Sequence, residues 1–254
     1  MRSFSEGKED AEVIVFVHGF PDDHTMWDYQ VRHLKDRYRC VTVDLPAFGK
    51  TEEGEERRWG YGTDEITSML ADTIRKVGGG KPVILITHDW GCIYGLAVEK
   101  QCPQLVSKVV ALDVGGQMKP TLLEAILIVA YQFWLALAFL LGRPIGDFMT
   151  RVLAPEGKAS ICYPYFRTWA EILRLKPPGP FLPKCPVLFA YGGKGFKKWI
   201  RFHSDKWLRD VRAKSGSGVV SFPTAGHWFM RELPEETNAA IDQFLAGNPP
   251  QYTD

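Results

Sequence analysis

No block of like charges reaches five residues anywhere in the chain, and Lys plus Arg number 31 against 30 Asp plus Glu. Balanced, interspersed charge lacks the basic stripe that grips a phosphate backbone, so nucleic acid is not an expected partner. Cysteine is scarce: five residues, Cys40, Cys92, Cys102, Cys162 and Cys185, form no C-x-x-C pair. An odd, scattered set suggests neither a disulfide framework nor a zinc site, and it suits a reducing compartment. The opening MRSFSEGKED is too polar for a secretory signal, which makes the cytoplasm the expected location. Internal repeats and low-complexity tracts are also missing.

Apolar residues are plentiful instead, 45% of the chain with 13% aromatic, enough for a large core and an apolar cavity. One stretch at residues 121–142, TLLEAILIVAYQFWLALAFLLG, is nearly long enough to cross a bilayer. A single crossing would leave Asp89 and His227 on opposite sides of the membrane. If those two share a site, the stretch is better read as helices over an apolar pocket, with peripheral membrane contact through 121–142 as a further reading.

Short apolar runs alternate with helical patterns, the signature of a parallel sheet covered on both faces. Strands are expected at 13–17, 40–44, 83–87, 108–112, 186–191 and 219–222, with helices at 64–77, 92–100, 203–214 and 235–246. About a dozen residues precede the first of these strands. That leaves little room for more, and a sheet of about six strands, or one with a vestigial extra strand, is expected. From about 117 to 183 the pattern turns helical, aromatic and Pro-punctuated. The expected organisation is a core at 1–114 and 184–254, with a helical cap at 115–183.

Three segments carry chemistry. VILIT-His88-Asp89-Trp90-Gly91 runs a buried strand straight into a helix, the setting of a nucleophile elbow, where the reactive side chain stands exposed on a strained turn with small neighbours. An aspartate there is also an ordinary helix cap. His18-Gly19-Phe20-Pro21 follows the first of the expected strands, where a loop amide can join the amide after the nucleophile to hold an oxyanion; those amides belong to Phe20 and Trp90. Ala225-Gly226-His227-Trp228 follows the last, where such folds keep a general base. A carboxylate attacking an ester carbonyl would give an anhydride, whereas attack on saturated carbon gives an ordinary alkyl ester. Asp89 therefore reads as a nucleophile toward saturated carbon, with no metal or organic cofactor required.

Taken together, HGFPDDHTMW, VDLPAFGKT, VILITHDWG and TAGHW resemble the aspartate-nucleophile branch of the α/β-hydrolase superfamily, the epoxide hydrolases and haloalkane dehalogenases. The resemblance covers nearly the whole chain. It implies an α/β-hydrolase fold, a mostly parallel sheet with helices on both faces and an inserted cap, acting on a small apolar substrate. The family often places the triad acid in a Y-G-x-x-D pattern, but this chain reads Tyr191-Gly192-Gly193-Lys194-Gly195. Relatives with the acid after the next strand imply Asp113 instead, orienting His227. Cap tyrosines that protonate an epoxide oxygen would be drawn from Tyr131, Tyr163 and Tyr165. Halide release would use indole N–H donors such as Trp90, with Trp134 and Trp169 in reserve, although dehalogenases usually carry Asn at the position of Phe20. The epoxide is the preferred reading, the halide the alternative, and a non-catalytic ligand-binding protein the third.

Overall fold

A computed structural model describes residues 1–49, 56–173, 181–194 and 200–252. The elements run β1 (Arg2–Gly7), β2 (Val13–Val17), a short 3₁₀ turn (His24–Trp27), α1 (Asp28–Leu34), β3 (Arg39–Asp44), α2 (Thr63–Gly78), β4 (Val83–His88) and α3 (Trp90–Gln101). After β5 (Val106–Leu112) the chain leaves the sheet for α4 (Leu122–Leu141), α5 (Ile145–Leu153) and α6 (Tyr163–Leu173). It returns through β6 (Val187–Gly192), α7 (Asp205–Ala213), β7 (Gly218–Phe222), α8 (Phe229–Glu232), α9 (Pro234–Leu245) and β8 (Gln251–Tyr252).

One sheet holds all of these strands in the order β1-β3-β2-β4-β5-β6-β7-β8. Only β1 is antiparallel, pairing with β3 from Arg2 opposite Asp44 to Gly7 opposite Arg39. Among the described residues the sheet thus has eight strands, two more than the six, or six and a vestigial one, expected. Both additions are edge strands. β1 reads RSFSEG and is largely exposed, and β8 is two exposed residues, so neither carries the apolar run that marks a buried strand. β1 has a structural task all the same: Arg2 reaches Asp44 at 3.2 Å and the Phe48 carbonyl at 2.8 Å, clamping the loop beyond β3.

The inner strands are buried on both faces, as helix-covered parallel strands must be. Val15, Val17, Leu85, Val109, Val187 and Phe189 pack on the side of α2, α3, α7 and the inserted helices. Ile14, Phe16, Ile84, Ile86, Val110 and Leu188 face α1, α8 and α9. β4 and β5 lie at the middle, so their carboxyl ends, Asp89 and Asp113, open beneath α4 and α6.

Candidate active site

Asp89 has φ 53° and ψ −121°, left-handed backbone that no helix or strand residue adopts. The turn is possible only because its neighbours are small. A Cβ on Gly91 would lie 2.2 Å from the Val17 carbonyl oxygen, and one on Gly19 would lie 2.4 Å from Asp89 Oδ1. The carboxylate is held at two points. Its Oδ1 accepts the Phe20 amide at 2.8 Å, and its Oδ2 lies 3.5 Å from His227 Nε2. Trp90 opens α3, so the helix itself cannot use its amide, which directly follows Asp89 in the chain. The Asp89 side chain is 15% exposed. Burial pushes its carboxyl up, but the hydrogen bond and charge of His227, aided by the Phe20 amide, hold it below the ordinary carboxylate value.

His227 Nδ1 donates to Asp113 Oδ2, while Asp113 Oδ1 accepts the Gly192 amide at 3.2 Å. Asp113 is itself in left-handed backbone at φ 74°, directly beyond β5, and is 1% exposed. With its Nδ1 proton committed to a carboxylate, His227 turns Nε2 toward Asp89: charged, it donates there to the Asp89 carboxylate, and neutral, it offers there the lone pair of a base. The structure therefore brings Asp89, His227 and Asp113 into one chain of contacts. Position 195, where the Y-G-x-x-D pattern would place the acid, lies outside the described residues. Asp205 opens α7 and pairs with Arg201 at 3.3 Å, while the His227 Nδ1 position is taken by Asp113.

Several residues that sequence reasoning left without a role support this constellation. His88, 0% exposed, donates from Nε2 to the His227 carbonyl oxygen at 3.0 Å, and its ring lies 4.3 Å from that of His227. Burial lowers its pKa to about 3, so it is neutral and acts as a brace. His18 accepts the Leu45 amide at 3.0 Å on Nε2, which leaves its Nδ1–H for the Gly19 carbonyl oxygen at 2.9 Å, steadying the loop that presents Phe20. Asp22 ties that same loop to the His227 loop, accepting the Trp228 indole at 2.7 Å and pairing with Arg231 at 3.0 Å. The only signal available for His88 and His18 was adjacency to the elbow and to Gly19.

Above Asp89 lies an aromatic roof. Tyr165 meets Phe20 and Trp90 edge-on, both at 5.2 Å between centroids, and Tyr131 meets Tyr165 at 6.0 Å. Burial raises the pKa of both phenols, the Asp89 charge raises it further, and a hydrogen bond from Trp90 partly opposes this at Tyr165. Tyr163 is not part of the roof. Its ring packs on Phe48 at 5.9 Å and Tyr61 at 5.5 Å, and its buried hydroxyl has no hydrogen-bond partner among the described residues. The bulky loop residue Phe48, 0% exposed, fills the space that draws Tyr163 away. Of the indoles, Trp134 spends its N–H on the Met149 carbonyl at 2.9 Å, and that of Trp169 is buried without an acceptor.

Comparison with known proteins bears on this geometry. Over 108 residues the chain is 28% identical to epoxide hydrolase 1 of Caenorhabditis elegans, a match that takes in 42% of this chain and 26% of that protein. Over 107 residues it is 30% identical to human epoxide hydrolase 4, covering 42% of this chain and 29% of the relative. These matches thus span less than a third of the relatives' length. The crystal structure of a mutant of an epoxide hydrolase from Bacillus megaterium superposes with a TM-score of 0.76, covering 96% of both chains at 19% identity. A likeness at that identity shows the fold. The family model described as "Alpha/beta hydrolase family" matches residues 14–240, which takes in β2 through most of α9. The chain belongs to the alpha/beta hydrolase family.

Proposed function

We propose that this protein hydrolyses epoxides to diols through an alkyl ester on Asp89. The observation that carries the reading is the division of labour on one carboxylate: Oδ1 held by an amide, Oδ2 beside a histidine, and two buried phenols above. In the first step Oδ2 bonds to an epoxide carbon, the strained C–O bond breaks, and the alkoxide takes a proton from Tyr131 or Tyr165. Because both phenol pKa values are raised, the hydroxyls remain protonated at neutral pH. In the second step His227 Nε2 takes a proton from water, which attacks the Asp89 carboxyl carbon. The oxyanion that forms is stabilised by the Phe20 and Trp90 amides. Collapse of the tetrahedral species releases the diol, with His227 returning its proton to the leaving oxygen, and the proton left on the new Asp89 carboxyl passes to the phenolate, restoring the resting site. The Asp113 carboxylate keeps His227 in the required tautomer throughout.

Relatives named as epoxide hydrolases support this reading. Five free cysteines support a reducing compartment, and we assign the protein to the cytoplasm. Halide release, the alternative, is disfavoured because Trp90 hydrogen-bonds Tyr165 and Trp134 is engaged; it would have to draw on Trp169, one turn beyond Tyr165 on α6. The test is intact mass spectrometry of His227→Gln mixed with styrene oxide or 1-bromobutane. An adduct confined to Asp89 is expected with the epoxide. No adduct with any electrophile in a panel of epoxides and haloalkanes would overturn the reading and leave a ligand-binding protein.

A further inference from the structure

α4 is apolar on both sides. Toward the protein it packs Ile128, Leu135, Ala138 and Phe139, with Tyr131 on that same side. On the opposite side Leu122, Leu123, Ile126, Val129, Phe133, Trp134, Leu137, Leu140 and Leu141 are 38% to 80% exposed. Only 28% of its most apolar stretch is buried. At about 150 Å² per large side chain these residues present on the order of 700 Å² of apolar surface, more than soluble monomers usually leave in one patch. Ile145, Phe148, Val152 and Leu153 of α5, the neighbouring helix, add to it at 51% to 71% exposure.

The charges around this patch are sorted by sign. Lys119 before α4, Arg58 at its far end, Arg151 on α5 and Lys158 beyond α5 are exposed, and among the described residues no carboxylate pairs with any of them. Arg58 is held there by the Leu140 carbonyl oxygen at 3.4 Å. The carboxylates of the same segment mostly turn inward. Glu124 closes the capping box on the Thr121 amide, Asp147 accepts the Ala159 amide and Glu171 accepts the Thr63 amide; among the described residues Glu156 is exposed without a cation, and Glu56, exposed beside Arg58, is neutralised by Arg143 at 3.0 Å. An apolar helical face with an unpaired cationic rim is complementary to an anionic lipid surface. A second copy fits poorly, because two-fold pairing would set each cationic rim against itself.

We propose that the outer face of α4, with α5 beside it, docks on the surface of an anionic lipid bilayer. The helix lies along the surface rather than across the membrane, since its inner side packs on α5 and α6. The inference does not rest on the reaction above. If both hold, Tyr131 on the inner side is about one helix diameter, ~10 Å, from the lipid, so the site could draw an apolar substrate dissolved in the bilayer.

The test is sedimentation of the full chain with extruded vesicles of phosphatidylcholine, with and without phosphatidylglycerol. Binding is expected to the mixed vesicles and to weaken with added salt, with Arg151→Gln lowering partitioning roughly fivefold. The double variant Phe133→Asp, Leu137→Asp should lose binding while keeping its circular dichroism, melting temperature and turnover of a water-soluble epoxide. Both positions are exposed, so the native core is untouched. Absence of binding to either vesicle, or binding unchanged in the double variant, would overturn the proposal. So would a dimer, seen by light scattering, that persists on vesicles and is broken by the same two changes. Failure here would leave the His227→Gln adduct unaffected, so the two readings are tested separately.

Discussion

Replacing Asp113 by Asn is the sharpest probe of the site, because the structure dictates how the new side chain must sit. The carboxylate uses Oδ1 for the Gly192 amide at 3.2 Å and Oδ2 for His227 Nδ1. Asparagine has a single acceptor oxygen. The Gly192 backbone N–H is buried at the end of β6 and retains the stronger claim on it, since an orphaned amide costs about 1–3 kcal/mol. The Asn amide nitrogen then faces His227, whose Nδ1 must give up its proton to accept. The proton moves to Nε2, on the side of Asp89, and a protonated Nε2 cannot take a proton from water. The analogous tautomer error in a serine protease triad costs ~10⁴ in turnover, about 5.5 kcal/mol of barrier. Alkylation uses the Asp89 carboxylate and the phenols but no base on His227, so it should proceed near the wild-type rate. Rapid quench followed by intact mass would show the alkyl-enzyme forming in a burst and decaying with the slowed steady-state rate. Turnover within about threefold of wild type would refute the argument. Loss of turnover without accumulation of adduct would refute it differently, by placing the defect before the ester forms.

Tyr131→Phe and Tyr165→Phe should each slow adduct formation from epoxides by about 10²- to 10⁴-fold in single-turnover mixing. Tyr163→Phe should leave it within about twofold and be neutral or stabilising, because the lost hydroxyl has no partner among the described residues; equal effects at all three positions would contradict a roof made of Tyr131 and Tyr165. For His88, the folded pKa of about 3 lies below the unfolded value near 6.5, so the unfolded chain binds the extra proton in between. This contribution to stability is complete above about pH 6.5 and is lost as pH falls toward 3, amounting to roughly 2–3 kcal/mol by pH 4.5. Urea unfolding of wild type and His88→Gln at pH 7 and pH 4.5 checks this. The variant should lose less on acidification, and identical losses would refute it.

What the sequence made legible follows burial. β2, β4 and β5 are apolar runs because both their faces are covered, and each is legible to within two residues of its ends. The elbow was legible because a buried strand running into His-Asp-Trp-Gly leaves few other geometries. β1 and β8 were hidden because exposed edge strands need no apolar pattern, and β1 is recognisable only once Asp44 shows what Arg2 is for. Tyr163 illustrates a different limit. Residues two apart on α6 point about 200° away from each other, so one of Tyr163 and Tyr165 had to face away from the site. Composition cannot say which; packing against Phe48 and Tyr61 decides it.

The grip of the Phe20 amide on Asp89 Oδ1 has a consequence for the bookkeeping of atoms. The two oxygens of this carboxylate are chemically alike but differently placed. If Oδ1 stays with the amides, only Oδ2 is transferred to product, and each cycle replaces it with an oxygen from water. The first diol released would carry an oxygen that entered the chain with the aspartate itself, and every later one an oxygen from solvent. Meanwhile Oδ1 would stay for the life of the molecule. After many turnovers in heavy-oxygen water, the peptide holding Asp89 should gain about two mass units, and a gain of about four would mean the carboxylate turns over between cycles.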